Sequence, residues 1–384
     1  MVLRHVYRSI RAKAPYKHSR SFSQLHSGSR WPSFGIAFDI DGVILRGNEP
    51  IGNSPQALKR LYTDCGKLKF PFIFLTNGGG VPESKRAIEL SKMLEVNIQP
   101  LQLHLLIRLP MQVVQGHSPF KQLVNRYEND LIVAVGKGEP AAVMSEYGFK
   151  KVISIDQYAL FFDNIDPLGP YKKWVTKMTL DNERTYSKED IYSERVKSAF
   201  IVSDPVDWSR DIQVLCDILR CGGLPGREYS HQPPLYFASD DLEYQAAFPI
   251  ERLGMGAFRI ALESIFNRIS YSPLKYTSYG KPNPTIFENA RSILESLPLD
   301  CDPHTANGHG ASRQPLDTLY MVGDNPVVDI KGACQAGRPW FSILTRTGVF
   351  KGKGNHEQFP ADIVVDTVEE AVDYILKKEC RNGS

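Results

Sequence analysis

Ahead of Asp39 the chain contains no aspartate or glutamate. Over that stretch Arg4, Arg8, Arg11, Lys13, Lys17 and Arg20 supply positive charge, and Val2, Leu3, Val6, Tyr7 and Ile10 recur at helical spacing between them. Ser19, Ser21, Ser23, Ser27 and Ser29 follow. An acid-free, Arg- and Ser-rich amphipathic start has the pattern of a mitochondrial transit peptide, and R-S-F-S at 20–23 resembles a matrix-protease site. Residues 1–33 are therefore expected to be a transit peptide and disordered arm that direct the chain to mitochondria, with the matrix as destination. The competing reading is a basic arm that touches RNA or a membrane.

Other absences narrow the function. The six cysteines show no C-x-x-C spacing, which excludes a zinc ribbon and a redox pair and leaves reduced thiols. The longest apolar run, at 101–110, is broken by His104, Arg108 and Pro110 and falls short of the roughly 20 residues a spanning helix needs, so no membrane span is expected. No fixed-period repeat is present. The formal net charge of +3 comes from the N-terminal arm, and cleavage after Phe22 leaves more acidic than basic residues, so a nucleic-acid partner has no electrostatic footprint.

What is present is a chain of 384 residues, 42% hydrophobic and 23% charged, with length for two globular domains. Strand-like runs at 34–39, 70–76, 131–136, 151–155, 199–203, 235–239, 318–323, 339–344 and 361–365 alternate with helical patterns. The helices are expected at 54–62, 82–94, 139–147, 209–220, 256–267, 285–297, 327–336 and 368–378. This alternation predicts an α/β fold built on parallel sheets. The 301–315 segment has loop composition, and its His304 and His309 are read as solvated residues.

Four motifs carry chemistry. Asp39 and Asp41, in F-D-I-D-G, end an apolar strand, where two carboxylates need a cation to offset their desolvation. Thr76 and Asn77 end a second strand and precede three glycines, starting at Gly78, that let backbone amides approach an anion. Lys281, between Gly280 and Pro282, offers a compact charge suited to phosphate. Asp324 ends a further strand in G-D-N-P, with Asn325 beside it and Asp329 in the following helix. Each motif alone has a bland reading: a chance string, a Gly-rich turn, a solvated lysine, a helix cap.

Their order along the chain resembles that of the haloacid-dehalogenase-like (HAD) hydrolase superfamily, over nearly all of the chain from Phe34 to about Lys377. The resemblance implies a Rossmann-like core with Mg²⁺ held by Asp39, Asp324 and the backbone carbonyl of Asp41. It implies that Asp39 is the nucleophile, that Asp41 is the acid and base, and that Thr76, Asn77, Gly78 and Lys281 hold the phosphoryl oxygens. Asn325 and Asp329 would stand behind these ligands.

The roughly 200 residues between the second and third motifs are too many for a connection, which points to an inserted domain. This organisation resembles class IIA of the superfamily, and the HSPFKQL and GDNPVVDIKGACQAG runs resemble its mitochondrial cat eye syndrome critical region protein 5 group. The expected division is a core of 34–116 and 272–384 and an α/β cap of 117–271. Asp240, Asp241, Gly254, Met255 and Gly256 are the cap residues expected to read the leaving group. The segment 103–111 looks like extra sequence relative to the family, and Val328 stands where a small hydroxyl residue is more usual.

The implied activity is phosphatase action on a small phosphorylated metabolite through an aspartyl phosphate, with a link to glycerophospholipid metabolism, and a homo-oligomer is left open. Four rivals remain, one of them a dehalogenase, which needs neither Asp41 nor Asp324. Gly136–Ala141, G-K-G-E-P-A, has the outline of a dinucleotide fingerprint, with Asp156 downstream. A receiver domain also uses acids, Thr and Lys, but in another order. The last is a catalytically silent HAD-fold binding or scaffold protein.

Overall fold

Residues that belong in the middle of a parallel sheet must be apolar on both faces, because helices cover both sides. In a computed structural model, Phe34–Phe38 (β1) and Phe72–Thr76 (β2) meet that demand with every residue buried. The structure describes residues 32–98, 111–172, 186–299 and 315–381, and the backbone of 103–104 and 107–108. The basic arm at 1–31 and the histidines at 304 and 309 lie outside the described residues, as do 105–106 and 109–110.

Further strands in chain order are Val113–Gln115 (β3), Leu131–Val135 (β4), Lys151–Ser154 (β5), Ser198–Ile201 (β6), Leu235–Phe237 (β7), Thr277–Ser278 (β8), Thr318–Gly323 (β9), Trp340–Thr345 (β10) and Ile363–Val365 (β11). They form two parallel sheets. A six-stranded sheet has the order β11-β10-β9-β1-β2-β3, and a five-stranded sheet has the order β8-β7-β6-β4-β5. The fold is thus a Rossmann-like parallel α/β core with a second α/β layer inserted in its sequence. The last strand of the inserted sheet, β8, lies beyond residue 271; two residues leave no readable alternation.

Strand order places the chemistry. From β1 the chain runs outward to β2 and β3 on one side, whereas β9, β10 and β11 fill the other. The crevice beyond the carboxyl ends of β1 and β9 is therefore a topological switch point, where ligands bind in open α/β sheets. Helix Pro284–Ser296 covers one face, its Ile286, Phe287, Ala290 and Leu294 buried in the cluster that also contains Ala37, Leu75 and Met321. Around the inserted sheet, Phe200 packs with Phe120, Phe149 and Tyr236 at centroid separations of 5.0–5.5 Å.

A buried polar cluster ties the two layers together. Glu83, at the start of helix Glu83–Leu94, accepts from Ser118 Oγ (2.8 Å), Lys121 Nζ (3.0 Å) and Tyr147 hydroxyl (2.6 Å), and His117 Nδ1 lies 2.6 Å from the same hydroxyl. Burial pushes the His117 pKa down to about 4. For Glu83, burial acts upward but the His117 and Lys121 charges and the Tyr147 and Ser118 bonds prevail, leaving it below its ordinary value. An unfolded histidine binds its proton near pH 6.5, so the unfolded chain takes up more protons than the native one between about pH 6.5 and 4. Stability is therefore lost as pH falls through that window, by about 2 kcal/mol at pH 5 from this residue. Glu83 contributes stability that is lost only at lower pH, through its folded pKa. Thermal unfolding at pH 7 and 5 is expected to show this drop, and His117→Asn to reduce it; an unchanged drop would refute the assignment.

Candidate active site

Local backbone geometry puts two carboxylates into the crevice. Asp39 follows β1, with its amide donating to Val322 O at 2.9 Å, which keeps the two strands in register up to the acid. The chain turns at Gly42, whose φ of +86° favours glycine, and a Cβ there would lie 2.5 Å from Asp324 Oδ2. Gly348 is closer still, with its missing Cβ 1.9 Å from the same oxygen, and Val349 N–H donates to it at 2.6 Å. Asp324 is thus seated between two glycines. Asp39, Asp324 and Asp329 each present an oxygen within 4.8 Å of the others, an acid cluster able to hold a metal ion.

Lys281 lies beneath this cluster, 1% exposed, with Nζ 2.9 Å from Asp39 Oδ1 and 2.7 Å from Asp329 Oδ1. Burial alone would lower its pKa, but Asp329 and Asp39 reverse this and raise it, so the ammonium is held charged. The second oxygen of Asp329 accepts from Asn325 N–H at 3.0 Å, so both its oxygens have partners. A wide π-type turn at Pro326–Ile330, in place of a plain helix start, carries Asp329 back under the strand end. Gly323 makes room, since a Cβ there would meet Asp329 Cγ at 2.3 Å. Asn325 caps the turn by accepting from Val327 N–H at 3.1 Å.

One cation does not neutralise these acids. Burial, opposed chiefly by Lys281, pushes Asp39 up to about 7, while burial and then Asp329 and Asp39 hold Asp324 well above the carboxylate range. Asp324 has an amide partner and forms no ion pair among the described residues, the Lys281 ammonium being paired to Asp39 and Asp329 instead. Hard oxygen donors crowded without sufficient positive charge fit a divalent ion such as Mg²⁺. The Asp41 side chain lies outside this group and faces Gly78 instead, whose missing Cβ would be 3.3 Å from Asp41 Oδ2. Burial raises the Asp41 pKa against the lowering influence of Arg86, Lys137 and Lys281.

Asn77 joins the strand ends to the inserted layer. Its Oδ1 accepts from Lys281 N–H (2.8 Å), and its Nδ2 donates to Lys281 O (2.8 Å) and to Asp241 Oδ1 (2.7 Å). Thr76 Oγ1 accepts from Gly78 N–H at 3.0 Å. Asp241 is half-buried, its desolvation pushes its pKa up to about 8, and it lines the pocket together with Gly254, Met255 and Val328. Its neighbour Asp240 instead pairs with Arg259 at 2.5 Å and is not among the pocket-lining residues, nor is Gly256. The two glycines admit the 239–242 loop: Cβ atoms at Gly254 and Gly256 would lie 2.5 and 2.4 Å from the carbonyls of Asp241 and Asp240.

Sequence reasoning missed Lys137, Asp204, Tyr244 and Gln245, which complete the pocket wall. The available signal was G-K-G at 136–138. Gly138 allows contact between layers, since a Cβ there would lie 2.3 Å from Gly80 O, and Gly136 allows the ends of two neighbouring strands of the inserted sheet to close up, since a Cβ there would lie 2.2 Å from Ser203 Oγ. These contacts account for the glycine spacing without a dinucleotide.

A switch-point acid cluster with a buried lysine, roofed by an inserted layer, defines an α/β enzyme of the strand-end carboxylate class. Family models described as haloacid dehalogenase-like hydrolase and HAD-hydrolase-like match residues 36–150 and 278–371. The mitochondrial hydrolase YKR070W of Saccharomyces cerevisiae is 31% identical over 367 residues, spanning 89% of this chain and 95% of that protein. A cardiolipin synthase (CMP-forming) / mitochondrial hydrolase fusion protein of Schizosaccharomyces pombe is 33% identical over 349 residues, spanning 89% of this chain and 53% of the fusion. The chain belongs to the haloacid dehalogenase-like hydrolases. Among solved structures, the 4-nitrophenylphosphatase of Thermotoga maritima superposes with a TM-score of 0.53 at 18% identity, covering 88% of this chain and 96% of that one. The glycerol phosphate phosphatase of Mycobacterium tuberculosis in complex with magnesium gives 0.52 at 14% identity, covering 88% and 75%. At these identities the likeness is one of fold.

Proposed function

We propose that the protein is a Mg²⁺-dependent phosphatase of small phosphate monoesters, with residues 34–116 and 279–384 as core and 117–278 as cap, the cap extended past 271 to take in β8. The observation that carries this reading is Lys281, locked between Asp39 and Asp329 below a pocket that also holds Asp41, Thr76 and Asp324. A carboxylate oxygen of Asp39 attacks phosphorus, the ester P–O bond breaks, and Asp41 gives its proton to the leaving oxygen. Asp41 then takes a proton from water, whose oxygen attacks phosphorus and releases phosphate from the aspartyl phosphate. The Thr76 hydroxyl, the Asn77 and Gly78 backbone amides, the latter released from Thr76 Oγ1 when phosphate binds, and Lys281 hold the phosphoryl oxygens, while the Asn77 side chain keeps the Lys281 backbone in place; Asn325 and Asp329 fix Lys281 and the Asp324 turn. Asp39, Asp324 and the Asp41 carbonyl would hold Mg²⁺, which keeps the acids ionised and offsets phosphoryl charge.

Mitochondrial residence is supported by the names of two relatives and by the acid-free start of the sequence. A glycerol-phosphate-type substrate is supported by the fusion of one relative to a cardiolipin synthase and by the glycerol phosphate phosphatase among the structural neighbours.

The test is p-nitrophenyl phosphate hydrolysis with Mg²⁺ and with a chelator, followed by a panel of phosphorylated metabolites. Turnover that stops on chelation is expected. Asp241→Asn and Met255→Ala are expected to shift kcat/KM about tenfold more on some metabolites than on p-nitrophenyl phosphate, which makes few cap contacts. Equal losses on every substrate would remove the cap residues from leaving-group recognition, and metal-independent turnover would reject the proposed chemistry.

A further inference from the structure

Beside the catalytic pocket, which measures about 60 Å³, lies a larger cavity of about 480 Å³. The two share Asp41, Thr76, Gly78, Lys137 and Tyr244 as walls, so they are continuous past the carboxyl assigned to protonate the leaving oxygen. A leaving group too large for the first space extends into the second.

Two cations face this larger cavity from opposite layers, Arg86 on the helix after the Gly-rich loop and Lys137 in the inserted layer. The Arg86 guanidinium has five donors and makes one side-chain bond among the described residues, a long one of 3.3 Å from Nη1 to Glu89 Oε2. Lys137 Nζ is 2.8 Å from Asp204, an acid that lines the catalytic pocket but not this cavity, and its side chain is 47% exposed. The backbone N–H groups of Gly79 and Gly80, on the same wall, have no hydrogen-bond partner among the described residues. Acids on the wall are Asp41 and Glu89. Unused donors and a guanidinium held by a single weak bond form a site for an anion, since an oxyanion accepts from amides and from a guanidinium fork together.

We propose that this cavity is a second anion subsite, and that the substrate is a phosphate monoester whose leaving group carries a further anionic group, a carboxylate or a phosphodiester. This rests on the phosphatase reading above. The scissile phosphoryl group sits over Asp39, and the second anion is held by Arg86, Lys137 and the Gly79 and Gly80 amides.

The experiment uses the full chain with Mg²⁺ and compares glycerol 3-phosphate, 3-phosphoglycerate, in which a carboxylate replaces the hydroxymethyl group, and glycerophosphoglycerol phosphate, which carries a phosphodiester. Wild type is expected to favour at least one anionic compound over glycerol 3-phosphate by about tenfold in kcat/KM, and which one it favours identifies the second group. Arg86→Gln and Lys137→Met are each expected to reduce that ratio several-fold, a readout from which any general loss through Asp41 cancels. No preference in wild type, or a preference kept in both variants, overturns the subsite. If no monoester is turned over, the phosphatase reading fails by itself, and calorimetric Kd values for the same compounds decide the subsite. Tighter binding of an anionic member that is lost in the variants supports it, and equal binding overturns it.

Discussion

Replacing Asp39 by Asn is expected to lower p-nitrophenyl phosphate turnover by at least about three orders of magnitude while leaving the protein folded. The amide keeps the size of the carboxyl and can still accept from Lys281 Nζ, which stands 2.9 Å from Oδ1 in the native protein. What it loses is the anionic oxygen that forms the bond to phosphorus. Because Asp39 is buried at the end of a central strand whose amide is tied to Val322, no neighbouring acid can move into its place without breaking the register of β1. Asp324 is confined between Gly42 and Gly348, and both oxygens of Asp329 are engaged. Hydroxylamine trapping of an acyl phosphate gives a second measurement, with signal expected in wild type and absent in the variant. Full turnover in Asp39→Asn would reject covalent catalysis at this position.

Lys281→Met is expected to be the most destabilising single change at the site. A buried cation shared by two buried acids is removed, and Asp39 and Asp329 are left unpaired beside Asp324; breaking such a pair costs about 3–5 kcal/mol. In a chain of this size that corresponds to a fall in Tm of roughly 4–6 °C. Millimolar Mg²⁺ should restore part of the loss, since it supplies positive charge to Asp39 and Asp324 and binds the folded state alone. Scanning the variant with chelator and with Mg²⁺ separates the contributions. A variant as stable as wild type in chelator would show that the lysine does not offset the burial of these acids. Activity is expected to fall with it, because the same ammonium is assigned to the phosphoryl oxygens.

Local pattern reached far into the fold because strands buried on both faces are written as continuous apolar runs. Phe34–Phe38, Phe72–Thr76 and Thr318–Gly323 were readable for that reason, and their flanking motifs for a related one. Each motif occupies a few residues at a strand end, where backbone geometry alone aims the side chain into the crevice. Elements below the length at which alternation shows were not readable: β3 at Val113–Gln115, β8 at Thr277–Ser278, and the π-type turn at Pro326–Ile330 inside what reads as an ordinary helix.

By itself, then, the sequence determined the class of fold, the presence of an insertion, and which side chains stand at the strand ends. Only the tertiary structure decided how they act on one another, because those contacts span separations along which no pattern runs. The Lys281 bond to Asp329 closes 48 residues, and the Asn77 bond to Asp241 closes 164. Asp240 and Asp241 are indistinguishable as letters, yet Arg259 draws one aside and Asn77 holds the other in the pocket. Gly323 reads only as the end of a strand and Gly348 carries no signal of its own, and only packing shows that they make room for two acids. Lys137 reaches the site for the same reason, carried there by the close approach of Gly138 to Gly80. Strand order and layer contact are properties of the folded chain, and they brought these groups within range of one another's charge.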